Sequence, residues 1–162
     1  MNVNQQTSQL PAMEITGVST RTTNAQEFGS EASLPQLWET YFQSNLPAQS
    51  GLNNTHLIYA LYTDYESDAS GAYTVIIGHE LSKESIEGEQ IGVKAFVPES
   101  NYMVFTTKKG PVFEVVAQAW GEIWNYFENS TIKRAYTGDF ELYDSRTFDP
   151  HSSEIQIYIA IQ

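Results

Sequence analysis

A carboxylate flanked by phenol rings is the feature of this chain with the clearest chemical use. It lies in the stretch Asp139 to Asp144, DFELYD, where Glu141 and Tyr143 alternate with Phe140 and Leu142. That alternation predicts a short β-strand with one apolar face and one face carrying a carboxylate beside a tyrosine. A second alternating run, Glu154 to Gln162, sets Ile155, Ile157, Ile159 and Ile161 against Glu154, Gln156, Tyr158 and Ala160. If the isoleucines cover the same core as Phe140 and Leu142, then Glu141, Tyr143 and Tyr158 share the opposite face. A glutamate among rings, with Lys133, Arg134 and Arg146 all in flanking loops, is costly to ionise. A ligand cation stacked on the tyrosines would supply the missing charge, each such contact contributing about 0.5–2 kcal/mol. Plainer readings stay open at this point: Glu141 as a solvent-facing strand residue, and Tyr143 and Tyr158 as cross-strand filler.

The composition narrows the function classes. In 162 residues there are 20 acidic and 8 basic side chains, a net charge of −12, and no cysteine. Disulfides, thiolate metal sites and a cysteine nucleophile are excluded. The charge repels phosphate backbones, so no direct nucleic-acid partner is expected, and it favours cations. An acidic, solubilising surface accounts for the same count. No window approaches the roughly 18 consecutive apolar residues of a membrane span, and the polar start resembles no targeting signal. A cytoplasmic protein with no membrane association is expected. His56, His79 and His151 are scattered and fit structural roles; no nucleophile, metal cluster or second catalytic acid stands out, so no catalytic residue, metal or cofactor is assigned.

Elements must hold these residues in place. Residues 1–12 read as a loose polar arm and 13–162 as one domain. A strand runs from Met13 to about Thr22, and Asn24 to Ser33 reads as a loop. Ser33 is placed as the N-cap of a helix, with Pro35 in the first turn and Gln36 at the capping-box position. Leu34, Leu37, Trp38, Tyr41 and Phe42 form its apolar stripe. Strands follow at Leu57–Tyr65 and Ala72–Leu81. The segment from Ser82 is acidic and irregular to Gly92, then strand-like through Val97. Another strand covers Tyr102 to Lys108. Pro111 opens the longest helical pattern, with Phe113, Val116, Ala117, Trp120, Ile123, Trp124 and Phe127 at three- and four-residue steps; its tryptophans, like Trp38, read as core.

The order strand, helix, strand, strand occurs twice, over about 13–81 and 101–162. Tyr59-Ala60-Leu61-Tyr62 lies where the second half has Phe140-Glu141-Leu142-Tyr143, so Ala60 takes the place of Glu141. By the same parity Tyr62 and Ile76 join Tyr143 and Tyr158, and Tyr102 and Gln156 are further candidates for that face; a slip of one residue would invert the assignment. The fold class expected is α+β: two antiparallel sheets related by a pseudo-two-fold, each backed by a helix on one face, with a cleft where the other faces meet.

The ending, a Gly-Pro, helix and tryptophan segment followed by FELYD and EIQIYIAIQ, resembles the GyrI-like small-molecule-binding domain. That domain also forms the C-terminal effector-binding module of AraC-type and MerR-type multidrug-responsive regulators. The Ile15-Thr16-Gly17-Val18 strand, the Leu37-Trp38 pair and the Tyr62 to Ser67 hairpin fit the same pattern, in particular that of free-standing members associated with integron cassettes. The resemblance implies duplicated strand-helix-strand-strand modules around a central pocket. It implies that Glu141 receives the positive charge of an amphipathic ligand and that Tyr158 lines the same pocket. Some members carry a second carboxylate where this chain has Gln156, so one formal negative charge is implied in place of two.

The first function expected is a non-catalytic, stand-alone module binding lipophilic cationic small molecules, acting in regulation through a partner chain or in resistance by sequestration. Too few residues precede the first strand for a DNA-binding module. The alternatives are a hydrolase of reactive toxins using Glu141 as general base, and an inhibitor that docks on a protein, as the family's gyrase-inhibitory members do. Exposed strand edges would permit a homodimer.

Overall fold

Proline punctuates the chain at two matching places. In the computed structural model, which describes residues 4–30, 32–48, 51–68, 70–82 and 93–162, β1 (Asn4–Leu10) bends at Pro11 into β2 (Met13–Thr23). The short α1 (Asn24–Glu27) and α2 (Leu34–Gln43) follow, then a 3-10 turn at Leu46–Ala48, the two-residue β3 (Leu52–Asn53), and the hairpin of β4 (Leu57–Thr63) and β5 (Ala72–Leu81). The second half repeats the scheme. β6 (Val93–Val97) bends at Pro98 into β7 (Ser100–Thr106), and α3 (Val112–Glu128), β8 (Asp139–Asp144) and β9 (Gln156–Ile161) complete it. Proline has no N–H to give to a ladder, which interrupts each long strand without ending its direction.

The structure is α+β, with one large antiparallel sheet in the order β1-β7-β9-β8-β4-β5-β2-β6. Each half lends its first strand to the other: β1 pairs with β7, and β6 with β2. Leu10 stands opposite Ser100 and Met13 opposite Val97, so one register runs through both bends. The two long strands therefore form a single ladder joining the ends of the run β7-β9-β8-β4-β5-β2. Its midpoint is the β4–β8 pairing, where Ala60 faces Glu141, the residue whose place it takes in the repeat. No described helix is long and apolar enough to cross a membrane.

Three apolar clusters follow from strand parity. Ile15, Leu61, Ile76, Tyr102, Val104 and Phe140 fill the face away from the helices. On the helical face, Val75 and Ile77 lie under Leu37 and Tyr41 of α2, and Phe105, Ile157 and Ile159 under Ala119 and Ile123 of α3.

Several expectations are corrected. The supposed N-terminal arm is β1, fully paired from Asn4 to Leu10, because its polar residues sit on an edge strand where backbone bonds suffice. The segment read as a loop contains α1. Ser33 makes no side-chain cap; the Glu27 carboxylate accepts the Ser33 and Leu34 backbone N–H groups at 2.9 and 3.0 Å, a negative charge at the positive end of α2. The acidic stretch 83–92 lies outside the described residues. The two expected sheets are one, and their helix-free faces enclose a filled core, not a cleft. The opening is on the other side, between the helices.

Candidate functional site

The register of β8 and β9 decides which side chains meet. Phe140 faces Tyr158 and Glu141 faces Ile157, so the isoleucines share the face of Glu141 and Tyr143, one residue out of step with the expected arrangement. That face lies under the helices. There, α1, α2 and α3 leave a gap over the central strands, a cavity of about 290 Å³.

Glu141 forms part of its floor and is 3% exposed. Its Oε2 accepts from the Tyr62 hydroxyl at 2.8 Å and from the Trp120 indole N–H at 2.7 Å, and its Oε1 accepts from the Tyr143 hydroxyl at 2.6 Å. Burial pushes the carboxyl above the ordinary glutamate value, and the bonds from Tyr143, Trp120 and Tyr62 pull it part of the way back. Burial first, and then the Glu141 charge, push Tyr62 and Tyr143 well above the usual tyrosine range, so both remain protonated donors. All of these donors are neutral. The carboxylate is thus solvated by the protein but not neutralised by it.

The walls are aromatic. Trp120 packs on Tyr62 at 5.1 Å between ring centroids and Trp38 on Tyr143 at 5.0 Å. Tyr73 lies 5.6 Å from Tyr62 and donates to Asn24 Oδ1 at 2.8 Å. Phe28 and Phe113, 76% and 74% exposed, stand at the opening. Such area in a partly open hollow is what an apolar ring system would cover, at roughly 25 cal/mol per Å² removed from water.

A second charged group belongs to the cavity. Arg134, 6% exposed, lines it and donates through Nη2 to Asp139 Oδ2 at 2.6 Å. Tyr65 also donates to that oxygen, and Asp139 Oδ1 accepts the Ala160 backbone N–H at 2.8 Å. The guanidinium carbon sits 4.4 Å from the centre of the Tyr136 ring. Tyr136 holds φ +57°, a conformation that costs most side chains, and its ring contact with the cation accompanies that cost. Glu27 is in the wall as well, so the cavity carries a second carboxylate despite Gln156. It contributes, after burial and ahead of Glu141, to raising the Tyr73 hydroxyl.

Of the residues nominated from sequence, Glu141, Tyr143 and Tyr62 meet in this cavity. Ala60 shares their face but is packed beneath α2 and does not line it. Tyr158 and Tyr102 are on the opposite face: Tyr158 stacks on Phe140 at 4.6 Å and Tyr102 meets Phe140 edge-on at 5.5 Å. Gln156, across from Leu142, accepts from the Tyr158 hydroxyl at 3.2 Å, and Ile76 is in the same filled core. These four are corrected by the register. His79 is buried between the Tyr41 hydroxyl, 2.7 Å away, and the Leu57 carbonyl, 2.9 Å away; burial lowers its pKa.

Sequence reasoning missed Trp38, Trp120 and Trp124 as cavity residues, and Arg134 as a buried one. A signal existed in α3, whose apolar stripe is too wide for one surface. Val112, Val115, Ala119 and Ile123 face the sheet, while Phe113, Ala117, Trp120 and Trp124, at steps of four, three and four, face the cavity. A buried indole also demands an acceptor for its N–H, and Glu141 was the available one.

Comparison with known proteins gives consistent matches. The family model for the integron-associated effector binding protein, Cass2, matches residues 7–161. The YobU protein of Bacillus subtilis (strain 168) is 35% identical over 148 residues, 90% of each chain. The integron cassette protein VCH_CASS2 of Vibrio cholerae superposes with a TM-score of 0.78 at 33% identity, over 100% of both chains. SAV2435, in a structure bound to tetraphenylphosphonium, has a TM-score of 0.72 at 20% identity over 98% of this chain and 94% of its own.

Proposed function

This chain belongs to the integron-associated effector binding proteins, and we propose that it is a binding module for lipophilic cationic small molecules, with Glu141 as the group that selects for positive charge. The observation that carries this reading is the buried carboxylate held by Tyr62, Trp120 and Tyr143 with no cation among its hydrogen-bond partners. A buried charge satisfied by neutral dipoles is stable enough to persist and still gains from an opposite charge. The indole and phenol faces around it add area and cation–π attraction. The binding of tetraphenylphosphonium by SAV2435, a protein of the same fold, supports the choice of probe. In this reading the module acts by sequestering its ligand or by signalling through a partner chain.

The geometry favours binding over hydrolysis. Glu141 already accepts three hydrogen bonds, two of them on Oε2, which lowers its capacity to take a proton from an attacking water.

The test uses a matched pair of ligands. Glu141→Gln should weaken tetraphenylphosphonium by roughly 1–3 kcal/mol, the scale of a charge-assisted contact, and leave neutral triphenylphosphine oxide nearly unchanged, as measured by titration calorimetry. Equal losses for both would remove the charge-selecting role.

A further inference from the structure

Arg134 is unusual for a buried arginine, because most of its donors are unused. Its hydrogen bonds leave from Nη2, to Asp139 Oδ2 at 2.6 Å and to the Tyr65 hydroxyl at 3.4 Å, while the buried Nε has no partner. A guanidinium carries five N–H donors in a fixed fork, and an aspartate meeting it end-on through one nitrogen satisfies a minority of them. The reason for the end-on geometry is visible. Asp139 Oδ1 is oriented toward the Ala160 N–H and Oδ2 also receives Tyr65, so the carboxylate is turned away from a side-by-side bidentate pair. The Tyr136 ring, 4.4 Å from the guanidinium carbon, holds the cation in place without using any of its donors.

Arg134 lines the same cavity as Glu141, and its Nη1 makes no hydrogen bond among the described residues. Leaving buried donors unpaired costs free energy that a ligand acceptor can recover. We propose that the ligands this cavity prefers carry, beside the cationic centre, a hydrogen-bond acceptor group (a carboxylate, ester or amide oxygen) which Arg134 receives while Glu141 holds the cation. The inference rests on the cation-binding reading and specifies its ligand class: cations with an acceptor arm, including zwitterions, over purely hydrocarbon cations. The Asp139 charge offsets that of Arg134, so the contact depends on N–H donation and geometry more than on net charge. An ester should therefore gain nearly as much as a carboxylate.

The experiment compares triphenylphosphonium cations that differ only in the tail: propyl, 2-(methoxycarbonyl)ethyl and 2-carboxyethyl. Binding is followed by quenching of the fluorescence of the tryptophans lining the cavity. Both oxygen-bearing tails are expected to bind about tenfold more tightly than propyl, the scale of one added hydrogen bond from a charged donor. In Arg134→Lys, which keeps the charge beside Asp139 but loses the fork, the three affinities should converge to within about twofold. If the three tails bind the wild-type protein equally, the acceptor site is refuted while the cation reading stands. If none of them binds, both fall. If Arg134→Lys weakens all three by the same factor and keeps the wild-type preference, Arg134 is a structural residue only and the proposal is overturned.

Discussion

Trp38 and Trp120 stand at corresponding places in α2 and α3, each just after a residue buried against the sheet, and each packs on the tyrosine of the opposite half, Tyr143 and Tyr62. The rings thus obey the duplication. The charges do not. Where the second half has Glu141 the first has Ala60, its direct partner across β4 and β8, and where the second has Asp139 the first has Ile58, each opposite one of the two tyrosines. Duplication by itself builds a symmetric aromatic box; of the two acidic residues on β8, Glu141 gives that box a charged floor and Asp139 pairs with Arg134. The acidic side chains that distinguish the two halves are therefore on β8, while both halves supply the apolar surface.

The largest effect expected from breaking this asymmetry is at Asp139. Asp139→Ala leaves Arg134 buried without its counter-charge and should cost about 3–5 kcal/mol of stability, measured by urea denaturation. Giving the second half the apolar character of the first, with Arg134→Leu and Asp139→Ile together, should restore most of that loss. A double variant as unstable as the single one would show that the pair holds β9 through Ala160 in a way no apolar residue replaces.

Adding the missing carboxylate is the converse. Ala60→Glu should destabilise the protein by about 3 kcal/mol or more at pH 8, from overpacking and from a second buried charge facing the first. Ala60→Gln separates the two causes, since it brings the volume without the charge. Burial and mutual repulsion raise the folded-state pKa values of both carboxylates, so the excess loss in Ala60→Glu is present above those values and disappears as the pH falls through them. An excess that does not change with pH would contradict the repulsion.

The smallest effect distinguishes the two tryptophans. Trp120→Phe removes a hydrogen bond to a buried carboxylate and should cost about 1.5–3 kcal/mol. Trp38, for which the repeat places Ala60 where Trp120 has Glu141, has no carboxylate to lose, and Trp38→Phe should cost about 1 kcal/mol or less. Equal losses would mean that ring packing alone accounts for both.

The fold was legible because its signals were local. The alternation in DFELYD, the proline before α3 and the repeated order of elements rest on periodicity, and the equivalence of Ala60 and Glu141 follows from the duplication, while their pairing across β4 and β8 emerges only in the fold. The site was half legible. Tyr62, Glu141 and Tyr143 lie on two neighbouring strands whose phase the repeat fixes. Tyr158, Tyr102 and Gln156 were displaced because the phase of β9 against β8, and of β7 against β9, is a long-range register, and the sequence of β9 is apolar enough on both faces to fit either choice; Ile76 was displaced by the register of β5 against β4, which sets it opposite Leu61 on the filled-core face. Trp120 and Arg134 were missed for a different reason. Each is explained by a partner distant in the chain or held by a loop, Glu141 for the indole and Asp139 for the guanidinium, and neither spacing is a helical or strand period.

The central claim is that Glu141 is a carboxylate raised by burial which a bound cation stabilises in its ionised form. NMR titration of the glutamate side-chain carbons, with Glu141→Gln identifying the signal, reads this directly. In the free protein Glu141 should titrate above the ordinary glutamate value, and saturating tetraphenylphosphonium should move its titration to lower pH, by linkage the same effect that makes cation binding fade as the solution is acidified. A Glu141 titration unchanged by the bound cation would contradict the account.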